Sequence, residues 1–101
     1  MPPLQAKLVT IITAHEARDL VSKALADLGV HSFSTSRVEG TGRHGPKRRG
    51  FIEAGNIEFT IVVSEPLSIR LLSWVETNLL AAHPGIAYSA DVLAVAARPI
   101  E

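Results

Sequence analysis

Glu39-Gly40-Thr41-Gly42-Arg43-His44-Gly45-Pro46-Lys47-Arg48-Arg49-Gly50 separates two halves of similar pattern. Four of these twelve residues are glycines and five are cationic or can become so. The stretch has no apolar face to bury. It also has too many positions that accept φ > 0 for a helix or a central strand. It is therefore expected to be a long exposed loop, a kind of segment that is often functional in a compact domain. Residues 37–53 hold Arg37, Arg43, Lys47, Arg48 and Arg49 against Glu39 and Glu53, a net of +3, whereas the rest of the chain sums to −3. Glycine backbone amides beside arginines suit a phosphate or another oxyanion. A purely turn-forming role for the glycines explains the letters equally well.

On the N-terminal side, Lys7-Leu8-Val9-Thr10-Ile11-Ile12 is β-branched and apolar and reads as a buried strand. Thr13-Ala14-His15-Glu16 has the Thr-x-x-Glu form of a capping box. Ala17, Leu20, Val21, Ala24, Leu25 and Leu28 then recur at helical spacing, and Gly29 supplies the C-terminal stop, so a helix is expected over about 14–28. Residues 30–38 read as a second strand, with Ser34 and Ser36 alternating with Phe33 and Thr35. On the C-terminal side, residues 57–63 read as a third strand with Ile57, Phe59 and Ile61 on one face. Ser64-Glu65-Pro66 starts a second helix, with Ser64 as its cap and a core stripe of Leu67, Leu71, Leu72, Val75 and Leu79. His83-Pro84-Gly85 ends that helix, and residues 86–97 form a fourth strand long enough to bend near Ser89-Ala90-Asp91.

Two strand–helix–strand units in one chain of 101 residues predict a single α+β domain, residues 1–101, of the ferredoxin-like βαββαβ kind. Both helices would then cover one face of a four-stranded sheet. Thr10, Thr35, Thr60 and alternate residues of 86–97 would partly line the other. A bare face this rich in Val, Ile and Ala predicts a homo-oligomer that buries it.

Composition narrows the function. With 47% hydrophobic and 20% charged residues the chain is globular. It has no cysteine, which excludes disulfides, thiolate nucleophiles and Cys-ligated metals. Neither a signal peptide nor a membrane-length apolar run is found, so a cytoplasmic location is expected. Gly40-x-Gly42-x-x-Gly45 matches a dinucleotide fingerprint letter for letter, yet Pro46-Lys47-Arg48-Arg49-Gly50 replaces the apolar helix that the fingerprint requires. His15, His31, His44 and His83 show no metal-ligand spacing, and no nucleophile elbow occurs. No metal, no cofactor and no enzymatic activity are expected. Lys47-Arg48-Arg49 without interleaved aromatics is a weak footprint for nucleic acid, which leaves a nucleic-acid-binding ferredoxin-like module as an alternative and no nucleic-acid partner as the expectation. An acylphosphatase-like enzyme is a second rival, but its anion loop would follow the first strand.

Val38-Glu39-Gly40-Thr41-Gly42-Arg43, the long loop and Gly50 resemble the corresponding part of PII signalling proteins. Residues 55–65 (Gly-Asn-Ile-Glu-Phe-Thr-Ile-Val-Val-Ser-Glu) and 82–88 (Ala-His-Pro-Gly-Ile-Ala-Tyr) are similar to the SbtB and carboxysome-associated PII-like (CPII) branch. The resemblance spans about residues 6–98. It implies a homotrimer that buries the open sheet faces, adenine nucleotides (ADP, AMP, ATP or cAMP) in the clefts between subunits, and a flexible T-loop at about 41–56. By it, Gly40, Gly42 and Arg43 would hold phosphates, Ser34 and Val62 would line the base and ribose pocket, and Gly85 and Ile86 would close over the nucleotide. Arg98 would reach the phosphates from the adjacent subunit. Bicarbonate is implied as second ligand at Arg43, His44, Gly45 and Lys47, and Lys47, Arg48 and Arg49 would face a partner. That partner would be a bicarbonate transporter or a carboxysome component, with the protein at the carboxysome or at a membrane through its partner. His44 stands where classical PII proteins carry a glutamine, Gly85 where they carry a lysine, and no tyrosine lies between 41 and 56. Classical nitrogen sensing, the alternative within the family, therefore has less to work with. ADP or AMP is expected to bind at least as well as ATP.

Overall fold

The structure, a computed structural model, describes residues 2–39 and 55–101. Four strands, β1 (Leu4–Ala14), β2 (Ser34–Val38), β3 (Asn56–Val63) and β4 (Gly85–Ala94), form one antiparallel sheet in the order β2-β3-β1-β4. A short 3₁₀ turn at His15–Ala17 leads into α1 (Arg18–Asp27), and α2 spans Glu65–Trp74 before a wider turn at Val75–Leu79. The predicted ferredoxin-like βαββαβ architecture is the one observed.

Register divides the sheet into two faces. Val9 lies opposite Ile61 and Ser89, and Ile11 opposite Phe59 and Ala87, so these residues share the face that the helices cover. The core sits there. Val9, Ile11, Phe59, Val21, Leu25, Leu71 and Leu79 are fully buried. The tilted rings of Phe33 and Phe59, with centroids 5.7 Å apart, extend the core towards β2. Leu8–Val62, Thr10–Thr60–Tyr88 and Ile12–Glu58–Ile86 run across the opposite face. Thr35, expected on that open face, lies opposite Phe59 and so on the covered one; Ser34 and Ser36 take the open side opposite Thr60 and Glu58.

Gly29 ends α1 as expected. It adopts φ +90°, and the Gly29 and Val30 amides donate to the carbonyls of Ala26 and Leu25 at 3.0 and 2.8 Å, a Schellman closure that also packs Val30 against the core. Leu20, expected in the helix stripe, is 41% exposed, because it borders the groove between the helices instead of facing the sheet.

Two expected caps are absent. Thr13 does not cap the first helix, since β1 carries it on to pair with Ile57 and Gly85. Its hydroxyl donates instead to the carbonyl oxygen of Pro84 at 2.8 Å. Ser64 holds the N-cap position of α2 without a side-chain cap bond; its carbonyl accepts from Ser68, and its amide donates to the Glu101 carbonyl. The wider turn that ends α2 has the Leu80 amide donating to the Val75 carbonyl, an i→i−5 bond. The bend expected near Ser89-Ala90-Asp91 does not occur either. Residues 85–94 pair one-to-one with 13–4 without a bulge. The second strand is shorter than expected, because Val30 turns into the core and β2 begins only at Ser34.

Candidate functional site

The sheet has two functionally unlike ends. At one, Val38, Asn56 and Ala14 lie abreast, and Gly85 lies opposite Thr13. Residues 40–54 connect β2 to β3 at this end, as the sequence pattern requires. Gly40, Gly42, Arg43, His44, Gly45, Lys47, Arg48 and Arg49 belong to that segment and lie outside the described residues. Asn56, expected as the last residue of the loop, is instead the first of β3, paired with Val38 and Ala14. Just before it, Gly55 adopts φ +81° and accepts a hydrogen bond from the His15 amide at 3.0 Å.

Gly85 and Ile86 belong to this same end. Gly85 packs so closely on β1 that a side-chain carbon there would collide with the Ile12 carbonyl oxygen and lie 3.2 Å from Thr13 Cα. The glycine thus has a packing reason of its own: any larger residue would push the 84–86 turn off the end of β1. Ile86 points to the open face, in the row of Ile12 and Glu58, and is 55% exposed.

Ser34 and Val62 also lie on the open face. Ser34 stands opposite Thr60, one pleat from Val62, and Val62 is 40% exposed. Val62 and Ile86 are two strands and four residues of register apart, roughly 17 Å by strand geometry. One protomer therefore does not gather Ser34, Val62 and Ile86 into a closed pocket. Arg98 is farther still. It follows β4 at the opposite end of the sheet, where Leu4 pairs with Ala94, and it is exposed. Glu101 is tied to that end, its carbonyl accepting from the Ser64 amide at 3.2 Å and its Oε1 from the His31 amide at 3.0 Å. Arg98 is thereby held on the order of 20–30 Å from Gly85 of its own chain.

A cluster of charges lies towards the Arg98 end of the sheet. Lys7 hydrogen-bonds Asp91 on β4 and lies 3.7 Å from Glu65 in the first turn of α2. The hydrogen bond to Asp91 raises the Lys7 pKa above 10.5; partial burial opposes the shift and the charges of Asp91 and Glu65 add to it. Two open concavities flank Trp74 in the groove between α1 and α2, one bordered by Ile69, Arg70 and Ser73, the other by Leu20, Lys23 and Asp27. Of the expected nucleotide residues, none of the described ones (Ser34, Val62, Gly85, Ile86, Arg98) lines either. Among the described residues no group of three or more His, Asp or Glu could hold a metal ion, and no helix is long and apolar enough to cross a membrane.

A four-stranded antiparallel sheet with two helices on one face, an exposed apolar face behind it and a long glycine-arginine segment between β2 and β3 defines a class of small regulatory domain. The family model of nitrogen regulatory protein P-II matches residues 6–97, and the chain belongs to that family. It is a PII-like regulatory protein. No curated protein matches the sequence. Among solved structures, a PII-like signaling protein from Thermus thermophilus is 24% identical with a TM-score of 0.78, covering 94% of each chain. CPII, a nitrogen regulatory PII-like protein from Thiomonas intermedia solved with ADP, AMP and bicarbonate, is 23% identical with a TM-score of 0.78, covering 97% of this chain and 99% of its own. The GlnK–ATP complex of B. subtilis is more distant, at 20% identity and a TM-score of 0.60, covering 87% and 82%. At these identities the likeness is one of fold.

Proposed function

We propose that this protein is a homotrimeric sensor that binds ADP or AMP, with ATP as a competitor, in clefts between subunits, and bicarbonate beside the nucleotide phosphates. One observation carries the reading. Ser34, Val62 and Ile86 lie on the helix-free face, while Arg98 stands at the end of the sheet opposite to Gly85. A site using all of them needs more than one copy of the chain. Assembly through the open face brings the tail of one copy towards the loop end of another. In this reading Gly40, Gly42 and Arg43 grip phosphate, Ser34 and Val62 border the base and ribose, Gly85 and Ile86 close over them, and the neighbour contributes its Arg98. Bicarbonate takes the positive region of Arg43, His44, Gly45 and Lys47.

The occupied site selects a conformation of residues 41–56, which present Lys47, Arg48 and Arg49 to a partner or withdraw them. The ligand shifts that equilibrium only by its differential affinity for the two states. The solved relative with ADP, AMP and bicarbonate supports the ligand set; the role in inorganic-carbon uptake, through a transporter or a carboxysome component, rests on the resemblance of residues 55–65 and 82–88 to the carboxysome-associated branch. His44 and Gly85, in place of the glutamine and lysine of classical nitrogen sensors, favour this branch over 2-oxoglutarate sensing.

Calorimetric titration with ADP, AMP and ATP, with and without bicarbonate, tests the reading. Arg43→Ala is expected to weaken ADP binding by more than about 1 kcal/mol, since charge-assisted contacts to phosphate contribute about 1.5–3 kcal/mol. An unchanged dissociation constant would remove Arg43 from the site.

A further inference from the structure

We infer that Thr13 is a positioning residue for the nucleotide site, an inference that rests on the reading above. Thr13 is 1% exposed at the end of β1, just before the 3₁₀ segment. The threonine hydroxyl donates to the Pro84 carbonyl at 2.8 Å, across 71 positions of sequence. Pro84 lies just outside the β1–β4 ladder, which begins at the Thr13–Gly85 pair, so the ladder does not supply its carbonyl with a donor and the Thr13 side chain does. The next residue is Gly85, pressed against Ile12 and Thr13 too closely for any side chain. Two residues beyond Thr13, the His15 amide donates to the Gly55 carbonyl.

One strand end thus holds the entry of β4 on one side and the residue leading into β3 on the other. Gly85 and Ile86 sit on the first of these, and the glycine-arginine segment is joined through the second. Losing the Thr13 hydroxyl frees the Pro84 carbonyl to seek water, and the turn shifts away from the nucleotide. Thr13 touches no ligand in this scheme. It acts through the 84–86 turn.

Two substitutions separate hydroxyl from shape. Thr13→Val keeps the branched side chain that a strand favours and removes the donor, whereas Thr13→Ser keeps the donor and removes the methyl group. Calorimetry is expected to show ADP binding weakened about fivefold in Thr13→Val and by less than about twofold in Thr13→Ser, the scale of one intramolecular hydrogen bond. Hydrogen exchange on the nucleotide-free proteins is expected to show the amides of residues 85–87 opening faster in Thr13→Val than in Thr13→Ser. Should Thr13→Val not fold, Thr13→Ala takes its place in both measurements. Wild-type ADP affinity in Thr13→Val overturns the inference, as does an equal loss in both variants, which would make methyl packing the cause. If the wild-type protein binds no adenine nucleotide, the sensor reading fails on its own. The exchange comparison then still decides the role of Thr13, and indistinguishable rates in the two variants overturn it.

Discussion

On the helix-covered side of the sheet, Val9, Ile11, Phe59 and Ile61 of β1 and β3 are at most 1% exposed, whereas Val62 of β3 and Ile86 and Tyr88 of β4, on the other side of the sheet, remain 40–55% exposed. Both sides are apolar, and the strands that make them are the same. The difference lies in what covers them. α1 and α2 are short and can shield one side only, so the chain completes its own core on that face and leaves the other to be completed by something else. Burial at the centre of the open face is already considerable within one protomer: Ala6 and Thr10 on β1 are 5% and 6% exposed, because neighbouring strands flank them. The unshielded area concentrates on β4 and the end of β3. One face therefore determines whether the protomer folds, and the other is the face that the proposed trimer would bury.

The largest expected effect lies on the covered face. Phe59→Ala should lower the stability measured by urea unfolding by about 3–5 kcal/mol, the cost of deleting a buried ring whose cavity only partly collapses. A loss under about 1 kcal/mol would mean that this face is not the one that holds the protomer together. On the open face, Tyr88→Glu should act on assembly instead. Sedimentation should show the mass falling from three copies to one, with the secondary structure retained by circular dichroism, because a carboxylate buried without a partner opposes association. A variant that remains trimeric would place the subunit contact elsewhere.

The smallest effect sharpens the contrast at the sheet's edge. Lys7, on the covered side where α2 begins, has its pKa raised above 10.5 first by its hydrogen bond to Asp91. A raised folded-state value means that its contribution is complete below about pH 10.5 and is lost as pH climbs through the higher folded value. Stability should therefore decline in that alkaline window, and Lys7→Met should flatten the decline. An equal alkaline slope in both proteins would show that the pair contributes nothing measurable, as many exposed ion pairs do.

Much of the covered face was legible because it rests on local periodicity. Ile57, Phe59 and Ile61 alternate, and Leu67, Leu71, Val75 and Leu79 recur at helical spacing, so each element announces its buried side. The same logic misplaced Thr35 and Leu20, whose orientation depends on the register of β2 and on where the two helices leave a groove. Thr-x-x-Glu is a local signal and points to Thr13 as a cap; the ladder with β3 and β4 overrides it by keeping the strand extended through that residue. No nearby letter could have pointed to Pro84 as the hydroxyl's acceptor.

By itself, the chain's order of residues determined the βαββαβ succession, the glycine-arginine segment at its centre and the excess of apolar side chains over what two helices can cover. These follow from spacing and composition, which act over a few residues. Only the tertiary structure decided that Gly85 and Ile86 share a sheet end with the central segment, that Arg98 is held at the other end, and that Thr13 and His15 join two connections far apart in sequence. Those relations depend on strand register, and register is settled by which faces bury together across the whole sheet.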